Sequence, residues 1–190
     1  MLLGTPQNTD RRLTDQETSA VKKRIADRLS DPNCQPFINE LLSKAAERNS
    51  DDPFSTDPLR LFAEIDSRGG YNYSTRYGHN TASSTLRYPN AAVLLIPPSG
   101  FGPARWPGRD EYIADQIAEA AFHETLHLAG ANTQYSDQTL AGAALEVAAA
   151  HGWGLPSEAD RKAILSDIWK ASFYWDSVLR SRCKPSRERR

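Results

Sequence analysis

The sequence has little of several features that mark protein classes. Among its 190 residues are 23 basic and 24 acidic side chains, a net charge of −1, so its charge does not indicate nucleic acid as a partner. The longest clearly hydrophobic piece, Ala91 to Ile96, is much too short to span a membrane. Met1-Leu2-Leu3 leads at once into Gly4-Thr5-Pro6, so no secretory signal is visible. We expect a cytoplasmic protein or the terminal part of an exported one.

Cysteine is also scarce, because Cys34 and Cys183 are the only two and lie near opposite ends. They could form a bridge that ties the terminal helix down, but one pair does not fix the redox compartment. We expect unpaired thiols. We also expect neither cysteine to bind a metal, since no second Cys or His is near them in the sequence.

The most informative segment is His123-Glu124-Thr125-Leu126-His127, an H-E-x-x-H string. Residues four apart lie on one face of a helix, so both imidazoles can reach one tetrahedral Zn²⁺. Glu124 can then face a water on that metal. The chain has only four histidines, and two of them stand at this spacing. The pattern predicts a metal site.

The surrounding residues favour a helix over 110–129, which contains no Gly or Pro. Its first half is rich in acidic residues and its second half is apolar almost all round, so the motif is expected where water is scarce. Gly130 follows and is typical of a helix C-terminus.

This arrangement resembles the zincin metallopeptidases, and Gly130 is similar to the glycine of their H-E-x-x-H-x-x-G variants. The resemblance implies that His123 and His127 bind zinc and that Glu124 is the general base. In metzincins a His stands three residues after the glycine, where this chain has Thr133, and the only methionine is Met1, so no Met-turn is indicated.

Two carboxylates compete for the third ligand position. Asp137 lies ten residues past His127, and the loop between them is long enough to fold back beside the helix end. An aspartate soon after the motif resembles the aspzincin and snapalysin-like groups. Asp137 could instead be the N-cap of the next helix, predicted over 138–150. We favour Asp137 as the ligand.

The rival is Glu146, which lies among small residues inside that next helix and is similar to the gluzincin arrangement. A lone carboxylate on such a face is costly unless a cation or a donor meets it. If Asp137 binds zinc, we expect Glu146 to hold a histidine Nδ1–H. Tyr135 is the candidate for stabilising an oxyanion, with His79 and His151 as further possibilities.

We predict one α+β domain of zincin-like type, with a small twisted β-sheet, the active-site helix behind it, and helical N- and C-terminal segments. The expected strands lie at Tyr71–Tyr77, Thr85–Tyr88 and Ala91–Ile96. Helices are expected before them, separated by Asp31-Pro32, and one long helix is expected from Ser157 onward. The domain is predicted to span 14–180, between a flexible segment at 1–13 and a basic flexible tail at 181–190.

The resemblance implies a Zn²⁺-dependent metallopeptidase that acts on a peptide or protein substrate, with no nucleic acid or membrane partner. Three alternatives stay open: an inactive zincin-like module for binding or scaffolding, a toxin-type effector domain of a larger secreted protein, and a hydrolase of non-peptide amides. The sequence leaves the specificity and the oligomeric state open.

Overall fold

The computed structural model describes residues 11–12, 15–51, 60, 62–63, 67, 71–75, 82–87, 90–95, 122–130 and 133–183. The first two helices are α1 (Asp15–Leu29) and α2 (Gln35–Asn49). The break predicted at Asp31-Pro32 is confirmed, since a turn separates them. Apolar residues at helical spacing give α2 one buried face, which consists of Phe37, Ile38, Leu41, Leu42, Ala45 and Ala46.

The second half of the described chain is helical. The motif lies in α3 (122–127), and α4 (Asp137–Ala150), α5 (Glu158–Ser166) and α6 (Ile168–Arg182) follow. The prediction of one long helix from Ser157 onward is wrong, because Asp167 divides this segment into the two helices α5 and α6. The Asp167 side chain accepts hydrogen bonds from the backbone N–H groups of Trp169 and Lys170, so it caps a new helix.

Among the described helices, α4 contacts α2, α5 and α6. Its sequence is rich in alanine, and small side chains let neighbouring helices approach closely. The first turn of α4, where Asp137 stands, is therefore held beside α6.

Four short strands are also present: β1 (Arg11–Arg12), β2 (Tyr71–Thr75), β3 (Ala82–Arg87) and β4 (Asn90–Leu95). Their order is β1-β2-β4-β3, with β2 and β4 parallel and the other two pairs antiparallel.

The predicted α+β zincin-like fold, with the active-site helix packed on a sheet, is wrong. The residues whose side chains the structure describes are mostly helical, and none of them lies in a strand. The described core consists of residues from helices and their connecting turns, such as Ile38, Leu126 and Trp175. The described side chains around the motif thus belong to helices and their connecting turns.

The expectation of unpaired cysteines is also wrong. Cys34 and Cys183 form a disulfide across a sequence separation of 149 residues, and both are buried. The bridge joins the turn before α2 to the end of α6. Helix α6 ends at Arg182, and Cys183 is its C-cap.

Several other predictions fall outside the described residues. They concern the first half of the motif helix at 110–121, His79 and the tail from residue 184 onward. In the described part of the chain, no helix combines the length and the apolar character that a membrane span requires.

Candidate metal centre

The structure brings together the three residues predicted as metal ligands. The two imidazole Nε2 atoms of His123 and His127 are 3.1 Å apart. Asp137 Oδ1 lies 3.9 Å from His123 Nε2 and 3.7 Å from His127 Nε2. Among the described residues, these three form the only group of three or more His, Cys, Asp or Glu side chains placed to hold a metal ion.

These separations match the size of a metal ion. In a tetrahedral zinc site with bonds of about 2.0–2.1 Å, neighbouring donors are about 3.3 Å apart. Plane geometry places a point equidistant from the three donor atoms at about 2.1 Å from each, which is a zinc–nitrogen bond length. Only small shifts of the side chains are needed to reach tetrahedral angles.

Both imidazoles are oriented by hydrogen bonds on the opposite side of the ring. His127 Nδ1 lies 2.6 Å from the backbone carbonyl oxygen of Tyr135, and His123 Nδ1 lies 3.0 Å from Asp176 Oδ1. A carbonyl and a carboxylate only accept, so each Nδ1 carries the proton and donates it. In the neutral rings, Nε2 therefore presents a lone pair toward the centre of the triangle.

Three acceptors thus converge on one point: two lone pairs and a carboxylate oxygen. Such groups repel one another unless a cation lies between them. A proton is a poor substitute at His127, because burial lowers the pKa of this imidazole and the charge of His123 lowers it further. These effects outweigh the opposing effects of Glu124, the Tyr135 carbonyl and Asp137 on the pKa. At His127 the environment therefore disfavours a proton, whereas a divalent cation is a group that all three acceptors could share.

The loop between the motif and α4 explains the position of Asp137. Tyr135 N–H donates to the His127 carbonyl oxygen at 2.8 Å, so the chain returns to the end of α3. Asp51, just after α2, accepts hydrogen bonds from Thr133 N and Thr133 Oγ1 at 3.2 and 2.9 Å. Asp137, two residues after Tyr135, therefore lies beside the two imidazoles.

Gly130 is needed for this return. A Cβ atom at this position would lie 2.1 Å from the Thr133 carbonyl oxygen and 2.9 Å from Asp51 Oδ2. The first contact is with backbone, which cannot move without displacing the loop. The glycine of the H-E-x-x-H-x-x-G pattern therefore serves a close approach of the chain to itself.

Asp137 is the first residue of α4, but it is not the N-cap. That role belongs to Ser136, whose side chain accepts from Thr139 N–H at 3.1 Å. Asp137 Oδ1 instead accepts from the indole N–H of Trp175 at 2.8 Å. The carboxylate is thus available to the centre, and its orientation is set from α6.

Glu124 lies in α3 between the two histidines and is buried. Its negative charge is close enough to raise the pKa of His127, against the dominant effect of burial. A buried carboxylate therefore lies within electrostatic range of the His127 imidazole.

Tyr135 does not fit its predicted role. Its side chain is wholly buried in the core, so it cannot contact a substrate, and its contact with the centre is made by its backbone carbonyl. The prediction that Tyr135 is a catalytic residue is therefore corrected. Its backbone carbonyl fixes the orientation of His127 instead.

Glu146 belongs to neither predicted role. Its Oε1 is 2.5 Å from Arg48 Nη1, and its side chain is 43% exposed. A carboxylate among small residues needs a cation or a donor beside it. The guanidinium of Arg48, which packs over Gly142, is that cation. His151 is also elsewhere, stacked on Trp153 and 2.7 Å from Glu40 through its Nε2.

The sequence did not predict two residues that contact the centre, Trp175 and Asp176, which are adjacent in α6. Trp175 is 38 residues from its partner Asp137, and Asp176 is 53 residues from its partner His123. One weak signal marks Asp176, which is an acidic residue in a helical segment rich in apolar and aromatic residues. Burial acts to raise the pKa of Asp176, but the hydrogen bond from His123 and the charges of His123 and Arg180 outweigh it and lower the pKa.

No protein-family model, no curated protein and no solved structure matches this chain.

Proposed function

We propose that this protein is a zinc-dependent metallopeptidase whose metal is held by His123, His127 and Asp137. One observation carries the proposal: the three acceptor atoms converge while both imidazole Nδ1 atoms already donate elsewhere. Three protein donors leave a fourth coordination position open, which is typical of catalytic rather than structural zinc. The H-E-x-x-H motif adds support, whereas the fold adds none.

Zinc in such a site supplies an acidified water, with a pKa of about 7, and a Lewis acid for a carbonyl oxygen. With a metal bound there, Glu124 would accept a proton from the water and would deliver it to the leaving amine. His123 and His127 keep Nε2 unprotonated because their protons are committed at Nδ1.

A peptide or protein is the proposed substrate. Glu124 supports hydrolysis over binding alone, because the motif gives it no ligand role and an inactive module has no need of a buried carboxylate there. The charge balance of the chain, −1 in total, does not select a strongly charged substrate.

The test combines zinc stoichiometry with cleavage of an unfolded protein by the wild type, Glu124→Gln and Glu146→Gln. All three proteins should bind one zinc, because neither substitution touches a ligand. The wild type and Glu146→Gln should cleave, and Glu124→Gln should lose nearly all activity. Absence of zinc binding in the wild type would refute the proposal. One bound zinc without any cleavage would show a metal-binding module instead.

A further inference from the structure

Helix α6 contacts the candidate centre through two consecutive residues. Trp175 donates its indole N–H to Asp137 Oδ1, and Asp176 Oδ1 accepts from His123 Nδ1. Consecutive side chains of a helix point about 100° apart, so one edge of α6 can reach two different ligands. Each ligand meets its own partner.

The Trp175 ring also fixes the imidazole planes. It stacks on His123 with centroids 4.2 Å apart and an interplanar angle of 26°. It meets His127 edge-on, at 5.6 Å and 87°. Trp175 is wholly buried, so its own orientation is determined by the core. One indole therefore contacts all three proposed ligands.

Asp176 is itself held in place. Its second oxygen, Oδ2, lies 3.2 Å from Arg180 Nη2, one helical turn further on. The carboxylate thus has one oxygen for His123 and one for Arg180. Beyond it, the buried Leu179 and the bridged Cys183 fasten α6 to the rest of the core.

We infer that Trp175 and Asp176 are positioning residues of the metal centre, with Asp176 fixing the tautomer and ring of His123 and Trp175 fixing the carboxylate of Asp137. The inference rests on the proposed metal site. A carboxylate on Nδ1–H also raises the basicity of the ligating nitrogen, and loss of such a partner costs about 10- to 100-fold in metal affinity.

The test measures metal binding without activity. Zinc affinity is measured by competition with a chromophoric chelator, and the ligand field by the visible absorption of bound Co²⁺. The variants are Asp176→Ala, Asp176→Asn and Trp175→Phe. The matched control is Ser177→Ala, an exposed position next to Asp176 in the same helix.

Asp176→Ala should weaken zinc binding about 10- to 100-fold. Asp176→Asn should restore part of the loss, since its amide oxygen still accepts from Nδ1–H but carries no charge. Trp175→Phe keeps an aromatic ring without the donor, so it should weaken binding and shift the Co²⁺ absorption. Ser177→Ala should match the wild type. Unfolding of each metal-free variant identifies any that fails to fold, and in that case the nearly isosteric Asp176→Asn decides.

The outcomes separate the two proposals. If the wild type binds no zinc, the metal site and this inference both fail. If the wild type binds zinc, Asp137→Ala loses it, and the Asp176 and Trp175 variants bind as tightly as the wild type with an unchanged Co²⁺ spectrum, only this inference fails.

Discussion

Two carboxylates on the same helix have opposite environments. Asp137 stands in the first turn of α4, 16% exposed, and faces two imidazole nitrogens and an indole N–H. Glu146 stands nine residues later, 43% exposed, and forms an ion pair with Arg48. Both positions satisfied the sequence criteria for a third ligand. The difference between them is set by what the neighbouring helices bring: α3 and α6 at one end, and α2 at the other.

The largest expected effect comes from removing each carboxylate in turn. Asp137→Ala takes away one of three donors. Loss of a residue that only hydrogen-bonds to a metal ligand lowers metal affinity by up to roughly 100-fold, so zinc affinity should fall by more than that. Glu146→Ala is the matched control on the same helix and should leave zinc affinity unchanged. Titration calorimetry or chelator competition measures both.

Bound zinc gives a second readout of the same comparison. A ligand that binds only the folded state stabilises it, by about 4 kcal/mol when its free concentration is 1,000 times its Kd. Zinc should therefore raise the unfolding temperature of the wild type and of Glu146→Ala but not that of Asp137→Ala. An equal rise in all three would remove the distinction between the two carboxylates.

The next effect concerns the disulfide at the end of α6. This helix packs against the first turn of α4, where Asp137 lies. Replacing both Cys34 and Cys183 by serine removes a cross-link over 149 residues, and the free energy of unfolding should fall by about 2–5 kcal/mol. Zinc affinity should also fall, because Trp175 and Asp176 lie on the released helix. Denaturant unfolding and chelator competition measure the two effects.

The double serine variant is preferable to chemical reduction, because thiol reductants themselves bind zinc. Unchanged zinc affinity in a variant that has lost stability would mean that packing of α6 alone positions the centre. Unchanged stability would mean that the bridge does not constrain the unfolded chain.

Substitution of Gly130 tests whether the loop must close for Asp137 to lie beside the imidazoles. In Gly130→Ala the new methyl group would meet the Thr133 carbonyl oxygen, so the loop has to shift, at a cost of about 1–3 kcal/mol. Zinc affinity should fall with it. Gly154→Ala is the control, since a Cβ there meets nothing within 4 Å, and its stability should stay within about 0.5 kcal/mol. Equal behaviour of the two variants would contradict the role of Gly130.

The sequence predicted the residues of the centre that are close in the chain. The spacing of His123 and His127 is a local property of a helix, and the loop length before Asp137 limited where the third donor could be. The sequence favours Asp137 over Glu146 only weakly, because what separates the two carboxylates is the position of Arg48, the position of Trp175 and the packing of separate helices.

The errors have the same physical origin. The disulfide joins residues 149 positions apart, so no local pattern could reveal it. Alternation in the middle of the chain predicts an α+β fold, although the described core around the site is made by helices. Local patterns predict elements, whereas the layer that supports a site is decided by long-range packing.

The smallest effect is expected at the Glu146 end. The Arg48–Glu146 pair is partly exposed on both sides, and such pairs contribute about 0.2–1 kcal/mol, which salt reduces further. A double-mutant cycle with Arg48→Gln and Glu146→Gln, measured by denaturant unfolding at low and high salt, gives the coupling directly. We expect a value below about 1 kcal/mol that decreases as salt is added. A larger and salt-independent coupling would mean that Glu146 is desolvated like Asp137, and the contrast between the two ends of α4 would no longer explain why only one of them faces the imidazoles.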